Sequence, residues 1–170
     1  MALLHTIRLA GPWEYEPIER APSADLTADL PPPGRVQLPA DWGATLGADF
    51  RGRVRYRRGF GRPTGLSPSD RVWLVLERLD AWGEVTLNGD VLGRAGAAGE
   101  FARFEVTDRL AERNLLLVVV ELPAWNAALD RARRPDRHGQ PGGLIGPVRL
   151  EIHDYVNSTA PETENDSRPF

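Results

Sequence analysis

Apolar and polar residues alternate with a period of two along most of this chain, and helical periodicity is nearly absent. Gly (17) and Pro (15) cut the 170 residues into short segments. The pattern predicts strands in HTIRLAGPWEYEP, GRVQLP, GRVRYRRGFG, RVWLVLERL, EVTLNGDVLG, FARFEVTD, NLLLVVVEL and PVRLEIHDY. About eight short strands separated by turn signals describe an all-β sandwich or jelly roll, expected to span residues 1–155. Asn88-Gly89 lies between Val85-Thr86-Leu87 and Val91-Leu92-Gly93. Both turn residues tolerate positive φ, so the spacing predicts a tight hairpin. The unbroken apolar run Leu115–Val120 predicts a central strand covered on both faces. Thr107 or Asp108 is placed to cap one helical turn in TDRLAERN.

Two regions lack the strand pattern. Residues 123–146 form a long connection in which Trp125 to Arg134 is compatible with a short helix. Loops of that length in compact domains are usually functional or disordered. The polar, acidic tail 156–170 is expected to be disordered.

RGRVRYRR, residues 51–58, holds five arginines in eight positions. Strand alternation puts Arg51, Arg53, Arg55 and Arg57 on one face, and Val54, Tyr56 and Phe60 on a core face with Arg58 as the exception. Arg58 is expected near a strand end or beside a buried carboxylate. The arginines read first as a solvated strand face paired to nearby acids, and second as an anion, sugar or partner site. Net charge is −3, so the cluster is local and offset elsewhere, which opposes nucleic-acid binding. The chain has no lysine, so its arginines reflect composition as much as selected chemistry.

Cysteine is absent, which excludes disulfides, thiol nucleophiles and zinc-thiolate sites. No apolar run reaches membrane-spanning length, and the N-terminus lacks a signal-peptide pattern, so a cytoplasmic protein is expected. His5, His138 and His153 are the only histidines, and no spacing marks a nucleophile, a phosphate loop or a paired acid and base. Of the five tryptophans, Trp13 and Trp73 lie in strand patterns and read as core. Trp42, Trp82 and Trp125 fall at loop or strand-edge positions. Each can cap the core, or stack on the apolar face of a sugar while neighbouring Asp, Asn and Arg bind hydroxyls.

The ordered motifs LAGPWEYEP, LPADWG, GRVRYRRGF, LDAWGEVTLNGDVLG, FARFEVTDRL, NLLLVVVEL and GGLIGPVRLEI carry a resemblance that extends to about residue 153. Together they resemble the N-terminal sugar-binding domain of family 2 glycoside hydrolases, the β-galactosidase, β-glucuronidase and β-mannosidase group. The resemblance implies a galactose-binding-domain-like jelly-roll β-sandwich. It also implies that the catalytic carboxylates belong to a separate barrel, which this chain does not reach. In β-galactosidase-like and β-glucuronidase-like relatives the residue before the strand valine is often a sugar-facing asparagine. Here it is Arg53. The loop before GGLIG borders the active site in such enzymes, which nominates Asp136, His138 and Gln140 by position.

The leading expectation is a stand-alone, non-catalytic carbohydrate-binding module whose site combines Arg53, Trp42, Trp125, Asp136 and His138. The alternative is a structural or interaction domain that self-associates or packs on a partner such as a glycosidase catalytic subunit, with the arginine stripe as interface. A small hydrolase using Asp130, Asp136 or His138 ranks last. No cofactor or metal is expected. Folds of this type often carry a structural calcium, but no oxygen-rich loop in the sequence identifies one.

Overall fold

The computed structural model describes residues 2–21, 29–96, 101–123 and 140–155. In chain order their strands begin with β1 (Ala2–Arg8), β2 (Trp13–Arg20), β3 (Gly34–Val36) and β4 (Ala40–Asp41). A four-residue helix, α1 (Gly43–Leu46), precedes β5 (Gly52–Gly61), β6 (Asp70–Leu76), β7 (Trp82–Leu87) and β8 (Asp90–Gly96). Then come β9 (Ala102–Glu105), β10 (Arg113–Leu122), β11 (Gly143–Leu144) and β12 (Val148–Asp154).

A six-stranded sheet has the order β3-β2-β5-β10-β7-β8, and a four-stranded sheet the order β1-β12-β6-β9. The pair β11-β4 forms a small third sheet. These pairings are antiparallel. The inward faces of the two large sheets share one core. The six-stranded sheet contributes Trp13, Val54, Tyr56, Val85, Leu116, Val118 and Val120, and the other contributes Val72, Leu74, Leu76 and Leu150. Each such side chain adds about 1.5–3 kcal/mol through the water it leaves.

The expected elements are present, with corrections. HTIRLAGPWEYEP is two strands in different sheets, because Gly11-Pro12 interrupts it: proline has no N–H to donate to a ladder. Asn88 (φ 53) and Gly89 (φ 92) do turn the β7–β8 hairpin. The helical turn is a three-residue 3₁₀ segment, Thr107–Arg109, without a side-chain cap. The Thr107 hydroxyl is engaged elsewhere, accepting from the Val72 N–H at 2.9 Å. The apolar run in β10 is covered on one face only. Leu116, Val118 and Val120 are buried, while Leu115, Leu117 and Val119 are half-buried on the outer face.

Trp73 is also misplaced by pattern alone. It points outward from β6, because Val72 and Leu74 take the inward positions. The Arg103 guanidinium lies 4.4 Å from its ring centroid. Around it runs an ion network. Arg149 donates from Nε to Glu151 at 2.9 Å and also pairs with Glu77. His153 Nε2 and Arg103 Nη2 lie 3.0 and 3.5 Å from the second Glu151 oxygen. Burial opposes ionisation of Glu151. Hydrogen bonds from His153 and Arg149, with the charges of Arg149 and Arg103, nevertheless hold its carboxyl below the usual range. A carboxyl depressed on folding stabilises the fold above its unfolded pKa, and that contribution disappears as pH falls through the folded value. Acid titrations followed by circular dichroism are therefore expected to show a Glu151→Gln variant less stable than wild type at neutral pH. The gap should close as the pH falls below the ordinary carboxylate range.

The expected helix over Trp125–Arg134 and the tail from residue 156 lie outside the described residues.

Candidate functional site

β5 carries the arginine stripe. Val54 and Tyr56 are buried beneath it, and burial pushes the Tyr56 phenol well above its ordinary range. The outer column is three arginines long: Arg53, Arg55 and Arg57. Arg51 precedes the strand and turns its guanidinium onto the carbonyls of Ala48 and Phe50, both at 2.9 Å. Arg58 lies among the last four residues of β5, near a strand end as expected, and its partner is a carbonyl rather than a carboxylate. It donates to the Pro12 carbonyl at 3.0 Å and stays half-buried.

Cross-strand pairing supplies what the sequence leaves open. Glu14, Glu16 and Glu19 of β2 stand opposite Arg57, Arg55 and Arg53. Arg53 lies 3.4 Å from Glu19, Arg57 3.9 Å from Glu14, and Arg55 is hydrogen-bonded to Glu16. On the other side of β5, Glu121 of β10 pairs with Arg53, and Trp82 of β7 pairs with Glu121. One transverse row therefore reads Glu19–Arg53–Glu121–Trp82. Arg53, Trp82 and Glu121 join Glu84, Arg94 and Val119 around a recess of about 90 Å³. Trp82 is half-buried there.

The row lies at the end of the sheet where Gly52 opens β5 and Leu122 and Gly96 close β10 and β8. Pro123 and Gln140, which flank residues 124–139, are half-buried and exposed respectively. Trp125, Asp130, Asp136 and His138 fall within that segment, outside the described residues.

Trp42 requires a correction. It is 1% exposed and offers no ring face to a ligand. The pairing of β4 with β11 folds the chain over it, and its ring meets Phe50 edge-on at 5.5 Å. A Cβ at Gly142 would come within 2.7 Å of the indole, so glycine is what allows the backbone to close. LPADWG therefore plugs the core. Among the described residues no three His, Asp or Glu side chains gather as metal ligands, and no helix is long and apolar enough to cross a membrane.

A family model described as glycosyl hydrolase 2 galactose-binding domain-like matches residues 50–155. The chain belongs to this family. No curated protein matches the chain. Among solved structures, the galactose-binding-like domain is similar to a Bifidobacterium dentium β-glucuronidase with a TM-score of 0.66 and 23% identity. That likeness covers 88% of this chain and 30% of the enzyme. A Bacteroides uniformis β-glucuronidase matches with a TM-score of 0.64 and 25% identity, over 87% of this chain and 18% of that one. A putative β-galactosidase from Bacteroides fragilis matches at 0.66 and 19%, over 88% and 23%. The chain thus spans less than a third of the length of these enzymes.

The sequence reading missed Glu19, Glu121 and Glu84. Each is an ordinary strand glutamate, and only cross-strand register places it beside an arginine.

Proposed function

We propose that this chain is a non-catalytic carbohydrate-recognition domain, and that its site is the end of the six-stranded sheet around Arg53. The observation that supports the reading is the juxtaposition of Arg53, Glu121 and Trp82 in one row around a surface recess. The chemistry suits a sugar. An indole covers the apolar face of a pyranose, a guanidinium donates to two adjacent hydroxyls, and a carboxylate accepts from them. Arg53 stands where the family resemblance puts a sugar-facing asparagine. Trp125, Asp136 and His138 belong to the same proposal, since their segment leaves the sheet next to Leu122, which pairs with Gly52.

Titrating a panel of neutral and acidic mono- and disaccharides into the labelled protein tests this by NMR. Shifts are expected at Arg53, Glu121 and the Trp82 indole N–H at millimolar sugar. Arg53→Ala should weaken binding about tenfold, the loss of one charge-assisted contact of roughly 1.4 kcal/mol, without changing the melting temperature by more than about two degrees. A panel that moves none of these resonances would refute the proposal. So would shifts confined to another face.

A further inference from the structure

The outer face of the six-stranded sheet has a pattern that sugar recognition does not use. One of its two middle strands, β10, presents Leu115, Leu117 and Val119 outward, each half-buried. A sheet face in contact with water normally carries polar residues at its centre. Here the polar residues lie to either side. Through Val119, the registered row reads Glu16 on β2, Arg55 on β5, Val119 on β10, Glu84 on β7 and Arg94 on β8. Its charges run minus, plus, neutral, minus, plus.

That order is its own complement. A half-turn about an axis along β10 lays the row on a second copy in reverse. Glu16 then meets Arg94, Arg55 meets Glu84, and Val119 meets Val119. Each charged contact occurs twice, as a two-fold interface requires. An axis across the strands would instead stack the arginine column on itself. In the next row, Glu14–Arg57–Leu117–Thr86–Val91, the same rotation brings Leu117 onto Leu117 and Val91 onto the Glu14 side. Val91 is 57% exposed. Beside Glu14 lies a groove of about 750 Å³ lined by Arg35, Arg55, Arg57, Leu115 and Leu117. Val91 and Glu14 sit two strands from β10 on opposite sides, at matching distances of about 10 Å from the axis.

We infer that the outer face of the six-stranded sheet is a two-fold docking surface for a second copy of this chain, with Leu115, Leu117 and Val119 on the axis. The rotation keeps the strands of the two sheets running in the same direction, the arrangement of aligned sheet packing. In the third row Glu121 opposes its own copy, so the sheets diverge at that end. The Arg53 recess lies at the diverging end but shares Glu84, Arg94 and Val119 with the paired row, so a sugar bound there would compete with pairing. Two five-strand rows with Leu115 beyond them make a patch of roughly 400 Å² per copy, small for a specific interface, so the association is weak and reversible. Pairing does not depend on sugar binding, since it uses the charge order and aliphatic strip of the middle rows.

Sedimentation equilibrium tests it. The wild-type chain is expected to dimerise reversibly, and more weakly as salt rises. Arg55→Glu alone sets carboxylate against carboxylate at both contacts with Glu84. Glu84→Arg alone sets guanidinium against guanidinium at both contacts with Arg55. Each variant should be monomeric. Mixed in equal amounts, the two variants should pair with each other, because one contact is then an opposite-charge pair with its signs exchanged and the other is the wild-type pair of Glu84 with Arg55. A second arm is the double variant Arg55→Glu with Glu84→Arg, which reverses both contacts together. It should recover dimerisation to at least about tenfold tighter than either single variant. Val119→Arg, which sets like charges on the axis, should abolish pairing while leaving the circular dichroism spectrum unchanged. A wild-type chain that stays monomeric at about 0.5 mM overturns the inference, since a specific interface would be populated there. A dimer indifferent to all these substitutions also overturns it, by showing that another surface is used.

Discussion

Replacing Trp42 by alanine is expected to remove about 3–5 kcal/mol of stability, measured by urea unfolding, and to lower the melting temperature by on the order of 10 °C. The indole is 1% exposed, and its neighbours are held by pairing rather than by side-chain adaptability. Phe50 meets its ring edge-on, and Phe50 in turn lies beneath the Arg20 guanidinium at 5.3 Å. Ala40 and Asp41 before the indole pair with Leu144 and Gly143. A cavity left there cannot collapse without breaking that ladder. Trp42→Phe should cost only about 1–2 kcal/mol, because it keeps most of the volume. It also forfeits no hydrogen bond, as the indole N–H is buried without a partner. A sugar-stacking tryptophan would behave in the opposite way: Trp42→Ala would leave stability intact and remove binding. A Trp42→Ala protein as stable as wild type would sink the core assignment.

Asn114→Ala is expected to cost about 2–4 kcal/mol, far more than a typical polar substitution. Asn114 is 4% exposed at the start of β10. Its Oδ1 accepts from the Ala111 N–H and from Asn88 Nδ2, both at 2.9 Å. Its Nδ2 donates to the Ala111 carbonyl at 2.9 Å and to the Phe60 carbonyl at 3.4 Å. Asn88 completes the lock, accepting from the Leu115 N–H at 2.8 Å. One amide therefore joins the β7–β8 turn, the segment after the 3₁₀ turn, and the β5–β10 pair. Alanine strands several of these groups at once, and buried polar groups without partners are what make such losses large. Asn114→Asp provides a sharper control. The carboxylate keeps the acceptor but faces two carbonyls where the amide donated, so its folded pKa is raised. Its deficit at neutral pH should shrink as acid protonates it. Equal unfolding midpoints for wild type and Asn114→Ala would show that the network carries no stability.

The arginine stretch marks how far sequence reading reaches here. Alternation assigned Val54 and Tyr56 to the core and Arg53, Arg55 and Arg57 to the outer face, because a strand has only two faces. It overextended the stripe to Arg51, since a pattern does not say where a strand begins. It sent Trp73 inward because tryptophan is usually core, while its neighbours Val72 and Leu74 had already claimed that face. It read Leu115–Val120 as covered on both sides because an apolar run has no polar position to mark the open face.

The all-β class, the Asn88-Gly89 hairpin, the outward placement of Arg53 and the family were legible in the order of residues alone. Each depends on local chemistry: strand period, positive φ, and motif order. That Trp42 plugs the core, that three glutamates flank the arginines, and that a charge order across five strands matches its own reverse emerged only from the folded chain. Those properties belong to register, and register is set by how residues distant in the chain pair, which no single strand's pattern contains.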